Sequence, residues 1–435
     1  MTGTGSRRTT GRHRTPTTNR PLAAVTPLRS RSGSQAGAAG RRPTESRRVQ
    51  ASRGGTPRGH KTRPKAGASD STVAGRGLAL TLGAVVTLAC AVGIIMVLSS
   101  SAAAAQAEFG NPWYHLQRQA MWLAMGVVGL VVAVRLDLMW ARRLIRPAMW
   151  GSIGLLVLVL LPFAGQTVNG ASRWLELGPI TLQPSEFIKL TLALFVADLL
   201  ASRADRMWDT SVTVRPVLVV TGVCCALIMA QPNLGTTVLV ATMVMVMLWV
   251  AGARGALLAG LSLGGAALAV GLAITEPYRF ARLTAFVDPW ADPLGGGYQT
   301  LQSQAAIANG GLTGLGLGQG RSKFGFLPEG HTDFIFSNIS EEFGLLGSLL
   351  TIGLFVAIAV LGGMIALRAP DRFGMLLAAG ITTWVTLQAV VNLGVAVGVL
   401  PITGVPLPLV SAGGSSLVVT MVACGLLMNV ARRAS

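Results

Sequence analysis

The sequence predicts an all-α, polytopic membrane protein with ten transmembrane helices and both termini in the cytoplasm. Of its 435 residues, 51% are hydrophobic and only 12% are charged, whereas soluble domains contain about 25% charged residues. Ten apolar segments have roughly the 17–25 residues that a bilayer-spanning helix needs. Arginines cluster in alternate connections between these segments. These features exclude soluble, collagen-like, coiled-coil and disulfide-rich secreted proteins.

The first 76 residues form a basic cytoplasmic tail that is predicted to be disordered. They hold 17 of the 36 Lys and Arg residues but almost no aromatic residues, so they have too little apolar surface to build a core. The tail is also too long and too polar to be a signal peptide. It either anchors the topology by attracting anionic lipid head groups or docks an acidic cytoplasmic partner.

The rest of the chain, residues 77–435, is predicted to be the ten-helix domain. The fourth apolar segment is short, and the fifth and sixth are nearly continuous, so their bounds are approximate. The segments are residues 77–99, 119–136, 147–163, 186–201, 215–231, 234–252, 255–274, 340–367, 373–399 and 414–431.

The charges between the segments predict the orientation of the chain. Basic residues favour the cytoplasmic side, and a cytoplasmic N-terminus gives every cytoplasmic connection at least one arginine. Residues 275–338 then form a large extracellular loop between the seventh and eighth helices. Five of the 17 acidic residues lie in this loop, and loops longer than about 12–15 residues are usually functional. The chemistry is therefore expected on the outer face.

This outer loop contains a candidate general base, Asp333. His331 and Asp333 lie two positions apart, just before the eighth apolar segment. A carboxylate there either accepts a proton from an attacking hydroxyl group or serves as a cap or ion-pair partner near the helix start. Asn338 and Glu341 have the spacing of an N-terminal cap for that helix. The glycines between 310 and 320 form either a phosphate-binding loop or a flexible hinge.

Three shorter outer segments, 169–189, 231–236 and 401–416, combine polar residues with proline and glycine near membrane depth. Backbone groups freed by such residues are tolerated only inside the protein or around a wet cavity. Lys189 lies about one turn into an apolar segment. Its charge is either functional or paired with Glu186, three residues earlier.

Taken together, these segments resemble the FtsW/RodA (SEDS) family of peptidoglycan glycosyltransferases over about residues 77–431. The run from Ser411 to Ser416, with the basic tail, is most similar to actinobacterial FtsW. The motifs that carry the resemblance are Val168 to Trp174, Leu182 to Glu186, Gln231 to Gly235, Gly297 to Gln299, Leu327 to Phe336, Glu341-Glu342 and Pro401 to Ser416.

The resemblance implies the reaction and the residues that carry it. The expected substrate is lipid II, which is polymerised into glycan strands on the outer face of the cytoplasmic membrane for septal wall synthesis in cell division. Asp333 falls on the family's essential loop aspartate, so it is the expected general base. The expected substrate-binding residues are Arg279, Arg282, Lys323, Lys189, Trp174, His331, Glu329 and Ser415.

The resemblance also implies partners. These are the membrane, a class B penicillin-binding protein and other divisome proteins, and no nucleic acid is expected. A divalent cation, Mg²⁺ or Mn²⁺, would suit a diphosphate substrate. However, the sequence contains no all-carboxylate cage that requires one, so no metal ligands are predicted.

Two other functions stay open on the sequence alone. One is a lipid II flippase or transporter, because polar helix faces such as Gln388 with Asn392 suit a translocation path as well as a catalytic cavity. The other is a non-catalytic divisome scaffold. The chain also departs from the family at Asn233, where Asp is usual, and at Ala412, where many relatives carry Tyr. Asn233 lacks the charge that a metal or proton role would need.

Overall fold

The computed structural model describes residues 67–162, 165–168, 171–178, 180–206, 209–275 and 277–434. The predicted disordered tail lies outside the described residues up to position 66. Helices dominate the described part of the chain. Its α-helices are α1 (Gly67–Phe109), α2 (Tyr114–Arg135), α3 (Leu138–Leu158), α4 (Pro184–Ser202), α5 (Val214–Ala230), α6 (Leu234–Val250), α7 (Gly255–Thr275), α8 (Pro277–Val287), α9 (Tyr298–Gly310), α10 (Ile335–Leu367), α11 (Arg372–Ala396) and α12 (Gly414–Arg433).

Ten of these helices coincide with the ten apolar segments, and the other two, α8 and α9, lie inside the long loop at 275–338. Six are long and apolar enough to cross a membrane: α1, α2, α7, α10, α11 and α12. Helices α5 and α6 are apolar but have only 17 residues each. These lengths support a multi-pass membrane protein, while the ten-span topology and the side on which the long loop lies stay predictions.

A small β-sheet accompanies the predicted helices, and the fold is mainly helical, as expected. Strands β1 (Gly165–Val168), β2 (Ala171–Leu177) and β3 (Ile180–Leu182) form an antiparallel sheet in the order β1-β2-β3. Leu175 is buried while its neighbour Glu176 is exposed, as expected for side chains that alternate between the faces of a strand. The sheet lies between α3 and α4.

The start of α10 also differs from the prediction. Asn338 and Glu341 are not an N-terminal cap, because the helix begins earlier, at Ile335, and both side chains are buried within it. The helix is broken at Gly344, whose φ of 64° and ψ of −152° are not helical. The break leaves the N–H of Leu345 free to donate to the carbonyl of Gly311 (3.0 Å).

Helix α12 lies at the centre of the packing because glycines let its neighbours approach closely. A Cβ on Gly425 would lie 2.6 Å from the carbonyl oxygen of Leu130 in α2, and one on Gly75 would lie 2.5 Å from that of Ala431. The amide of Asn429 then donates to the free carbonyls of Ala133 and Leu136 near the end of α2. These contacts hold the last turns of α12 against α1 and α2.

Candidate active site around Asp333

Asp333 lies in the turn immediately before α10, and other parts of the chain hold its backbone in place. The amide of Asn392 in α11 donates to the carbonyl of Asp333 (2.7 Å) and to that of Val405 (2.9 Å). The hydroxyl of Ser411 donates to the carbonyl of Thr332. The 401–413 segment and α11 therefore position the aspartate together, although they are distant from it in sequence.

The half-buried Asp333 side chain faces a polar pocket of about 230 Å³. The pocket is built from four parts of the chain: strand β2 with the residue before α4, the 275–338 loop, the 401–413 segment and the start of α12. Its lining residues are Arg173, Trp174, Gln183, Arg282, Gln299, Glu329, Thr332, Asp333, Ile402, Gly404, Pro406, Ala412, Gly413, Ser415 and Ser416.

The pocket raises the pKa of Asp333 to about 7. Burial is the largest cause, because it penalises the charged form, and the negative charge of Glu329 adds to it. The positive charges of Arg282 and Arg173 act in the opposite direction. A carboxylate with a pKa near neutrality can both accept a proton and release it, which is the property that a general base needs.

An apolar cavity of about 290 Å³ adjoins the polar pocket. The two share Arg173, Arg282 and Ile402, so both arginines lie at the boundary between them. Its apolar lining comes mainly from α6, α8 and α11 and the 400–403 segment. Residues of this lining include Val238, Leu239, Leu283, Leu387, Val391 and Leu400. A ligand that joins a polar head to an apolar chain would match this arrangement.

The structure brings most of the predicted site residues to these two cavities. Arg279 lines the apolar cavity, and its guanidinium also donates to the carbonyl of Leu272 (3.2 Å). Ser415 accepts the backbone N–H of Gln183 (3.2 Å) and thereby links α12 to the start of α4. The predicted residues that line the polar pocket are Trp174, Arg282, Glu329, Asp333 and Ser415.

His331 lies behind the pocket instead of lining it. Its ring packs against that of His115 in α2, with 4.8 Å between the centroids, and its carbonyl accepts the N–H of Ala412 (3.0 Å). Burial and the His115 ring lower the pKa of His331. Its place in the structure is therefore that of a neutral support for the turn that holds Asp333.

Lys189 is buried in α4 and does not line either cavity. Its ammonium group donates to Glu186 (2.8 Å) and to the amide oxygen of Gln388 (2.8 Å), and it lies 5.0 Å from the ring centroid of Trp384. The amide nitrogen of Gln388 in turn donates to the carbonyl of Pro406. This network links α4, α11 and the 401–413 segment.

Lys323 lies in the glycine-rich loop and forms an ion pair with Glu342 (3.6 Å). Glu342 also accepts the hydroxyl of Ser99 (2.7 Å) and the N–H of Gly318 (3.1 Å). The loop is therefore held against α10 and α1 by a buried carboxylate, and Lys323 lines neither of the two cavities around Asp333.

The sequence analysis missed several pocket residues, of which Arg173 is the most important. Its guanidinium donates to the carbonyls of Gln231 and Pro232, so β2 is tied to the start of α6. Arg173 was visible within the Val168 to Trp174 motif, but its spatial closeness to Arg282 was not. Gln183 and Gln299 likewise belong to quoted motifs and line the pocket.

The described residues provide no set of metal ligands. Within the ranges that the structure describes, no group of three or more His, Cys, Asp or Glu side chains is placed to hold an ion. Asn233, at the position where Asp is usual, caps α6 by accepting the N–H of Thr236 (3.2 Å). No step of the chemistry is therefore assigned to a divalent cation.

Comparison with known proteins decides the family. The FtsW/RodA/SpoVE profile, described as cell cycle proteins, matches residues 79–435. The chain belongs to the FtsW/RodA/SpoVE family. It is 41% identical over 354 residues to stage V sporulation protein E of Bacillus subtilis, covering 81% of this chain and 96% of that protein. It is 44% identical over 358 residues to a probable peptidoglycan glycosyltransferase FtsW of Nitrosococcus halophilus, covering 80% and 90%.

Solved structures of FtsW/RodA/SpoVE relatives share the fold. A chain from a peptidoglycan synthase complex that coordinates polymerization and crosslinking superposes with a TM-score of 0.67 at 34% identity, covering 81% of this chain and 97% of that chain. The rod shape determining protein RodA of Thermus thermophilus gives a TM-score of 0.60 at 30% identity, covering 81% and 96%. The resemblance identified from the sequence motifs is therefore confirmed.

Proposed function

We propose that Asp333 is the general base with which this peptidoglycan glycosyltransferase polymerises lipid II. The observation that carries the proposal is the placement of one carboxylate, with its pKa raised to about 7, in a polar pocket that opens onto an apolar cavity. Lipid II combines a polar head with an apolar chain, because a pyrophosphate joins its disaccharide-pentapeptide to a long prenyl chain.

In the proposed reaction, Asp333 accepts the proton of the 4-hydroxyl group of the acceptor GlcNAc. That oxygen forms a bond to C1 of the donor MurNAc, while the bond between C1 and the pyrophosphate oxygen breaks. The electron pair leaves with undecaprenyl pyrophosphate. Attack from the face opposite the leaving group inverts the configuration at C1. Asp333 then returns its proton to solvent.

Arg173 and Arg282 are the proposed stabilisers of the leaving group. Both lie where the polar pocket meets the apolar cavity, which is where the pyrophosphate of a bound donor would lie. Negative charge grows on the pyrophosphate as the C1–O bond breaks, and fixed positive groups stabilise that charge most in the transition state. Arg279 extends this positive surface along the apolar cavity, which is proposed to hold the prenyl chain.

The reaction is proposed to occur on the outer face of the cytoplasmic membrane, at the division septum. The arginine distribution supports this orientation, because it places the 275–338 loop outside. The family description as cell cycle proteins and the 44% identity to an FtsW protein of Nitrosococcus halophilus support a role linked to the cell cycle. A fluorescent fusion that concentrates at midcell in dividing cells is the expected result; uniform labelling of the lateral wall would contradict the septal role.

A reconstitution experiment tests the catalytic proposal. Purified protein in liposomes receives lipid II from outside, and glycan polymer and lipid movement are measured in parallel. Wild type should form polymer, and Asp333→Asn should lose at least about 100-fold of the rate, since a general base contributes about 10²–10⁴-fold. Lipid movement without polymer would instead support a flippase, and neither activity would support a scaffold.

Asp288→Asn is the matched control for this experiment. Asp288 lies in the same loop, but its carboxylate is exposed and accepts the backbone N–H of Trp290 (3.1 Å). An Asn side chain can make the same cap, so this variant should polymerise at the wild-type rate. A near-normal rate in stable Asp333→Asn protein would overturn the assignment of the base.

A crosslinking enzyme is the proposed partner. The relative in the solved peptidoglycan synthase complex works in an assembly that coordinates polymerization with crosslinking. A class B penicillin-binding protein, acting with divisome proteins, would supply that second activity here. Co-purification of such a protein with this chain from membranes, and faster polymerisation when it is added, are the expected results; equal rates with and without it would contradict functional coupling.

A further inference from the structure

A third cavity lies at the end of the bundle opposite Asp333. It has a volume of about 350 Å³ and is formed where α1 begins and where α2 and α12 end. Ser416, at the start of α12, lines the Asp333 pocket, and Arg432, in its last turn, lines this third cavity. At 1.5 Å per residue, the two cavities are separated by roughly 25 Å along α12.

The cavity, here called the arginine pocket, is strongly basic. Within the part of the chain that the structure describes, Arg76, Arg135 and Arg432 form no ion pair, and Arg433 approaches Asp137 at 3.8 Å. Uncompensated positive groups around one hollow favour an anion. The lining residues are Arg76, Val134, Arg135, Leu136, Asn429, Arg432 and Arg433.

The packing of the three helices builds this pocket. Gly75 lets α1 approach the carbonyl of Ala431, which brings Arg76 beside the end of α12. Asn429 and Arg433 both donate to the carbonyl of Leu136, so the last turn of α2 is held against α12. The arginine pocket is therefore formed by helices that are packed against one another, and not by a basic loop.

Apolar surface begins one helical turn deeper than the arginines. Leu80 follows Arg76 by four residues on α1 and is 76% exposed, and Val131 precedes Arg135 by four residues on α2 and is 42% exposed. Residues four apart lie on the same face of a helix. Each helix thus presents an arginine one turn above an outward-facing aliphatic side chain. The arginine suits the phosphate of a phospholipid, and the aliphatic side chain suits its acyl chain.

We propose that the arginine pocket binds the phosphate head group of an anionic phospholipid. The arginine distribution assigns this end of the bundle to the cytoplasmic leaflet. Arginine binds phosphate oxygens through parallel hydrogen bonds, and the acyl chains would lie over Leu80 and Val131. The site is separate from the Asp333 pocket and does not depend on its chemistry.

Native mass spectrometry of the full chain tests this site. The protein in detergent is titrated with phosphatidylglycerol, with zwitterionic phosphatidylcholine or with inorganic phosphate, at about 150 mM salt so that exposed tail charges are screened. Phosphatidylglycerol should bind more tightly than phosphatidylcholine. In the double variant Arg135→Gln with Arg432→Gln, its binding should weaken by about fivefold for each arginine removed.

Arg146→Gln with Arg254→Gln is the matched control, since both arginines are exposed, lie at the same predicted end and are outside the pocket. This control should bind phosphatidylglycerol as wild type does. Arg135→Lys with Arg432→Lys keeps the charge and should lose less affinity than the Gln pair, which separates binding from folding. Any of three results would overturn the proposal. Phosphatidylglycerol binding could weaken as much in the control as in the Gln pair, phosphatidylcholine could bind as tightly as phosphatidylglycerol, or equimolar inorganic phosphate could displace the lipid.

Discussion

Two acidic regions flank the start of α10 and use their carboxylates in opposite ways. Glu341 is buried and accepts the backbone N–H groups of Arg321 (3.0 Å) and Ser322 (3.1 Å), and Glu342 accepts that of Gly318. Asp333, only eight residues before Glu341, lines an open pocket, and its pKa is raised to about 7. Glu341 and Glu342 hold a loop, whereas the carboxylate of Asp333 faces a pocket that a substrate can enter.

This difference shows what separates a structural acid from a chemical one. A carboxylate whose oxygens already accept hydrogen bonds from the backbone has little capacity left for a substrate. A carboxylate that is half-buried beside another acid is destabilised when charged and can take up a proton. The following experiments test that contrast, in order of the expected effect.

Replacing Asp333 or Glu341 by its amide should have the largest effects, on activity in the first case and on stability in the second. Asp333→Asn should abolish activity without lowering the melting temperature at pH 8, because burial and Glu329 disfavour the charge that it removes. Glu341→Gln should destabilise the fold by about 1–3 kcal/mol, since it places an amide donor against the N–H donors of the loop. Thermal melting in detergent distinguishes the two. A lower melting temperature for Asp333→Asn would mean that Asp333 is structural.

Removing Arg282 should have the next largest effect. Arg282→Ala should slow polymerisation about 10–100-fold, because the developing charge on the pyrophosphate loses a donor, and Arg282→Lys should lose less. Arg321→Ala is the matched control, since this exposed loop side chain lines neither cavity. Rates at saturating and at dilute lipid II separate transition-state stabilisation from weaker binding.

A loop ion pair is the competing role for Arg282. Asp288 and Asp292 follow Arg282 by six and ten residues and are its candidate partners in the loop. Asp288 accepts the N–H of Trp290, and Asp292 accepts that of Gly296. Arg282→Asp combined with Asp288→Arg or Asp292→Arg should therefore stay inactive. Recovered activity in either double variant would assign Arg282 to holding the loop.

Removing the hydrogen bonds that hold the backbone of Asp333 in place should have the smallest effect. Asn392→Ala removes two hydrogen bonds, to the carbonyls of Asp333 and Val405, each worth about 1 kcal/mol. The turnover number should fall about 5–10-fold while KM changes little, because the carboxylate is displaced but the substrate contacts stay. A large rise in KM with an unchanged turnover number would place Asn392 in substrate binding instead.

The sequence predicted the parts of this protein that depend on local patterns. Each apolar segment became a helix, since length and hydropathy act within about 20 residues. Asp333 was singled out because its motif with His331 resembles that of the family; the structure places it in a pocket, and its role as the base stays a prediction. The N-terminal cap at Asn338 was wrong because tertiary contacts, such as the hydrogen bond from Asn338 to the carbonyl of Gly330 (2.8 Å), extended the helix past it.

What depends on contacts between distant segments was not predictable. Arg173 and Arg282 are separated by more than 100 residues in the chain and meet only because β2 and α8 converge on the 400–403 segment. Lys189 pairs with Glu186, as its three-residue spacing allowed, whereas the partner of Lys323 is Glu342, 19 residues away in the chain. Spacing in sequence does not report which of these cations reaches the pocket.

The pH dependence of polymerisation tests the central claim, that Asp333 acts as a base with a pKa near 7. A base works only when deprotonated, so the wild-type rate at dilute lipid II should fall as the pH drops below about 7. Glu329 raises the pKa of Asp333, so Glu329→Gln should move the midpoint of this fall to lower pH. A rate that stays constant between about pH 5 and 8, or a midpoint that does not move in Glu329→Gln, would contradict the account.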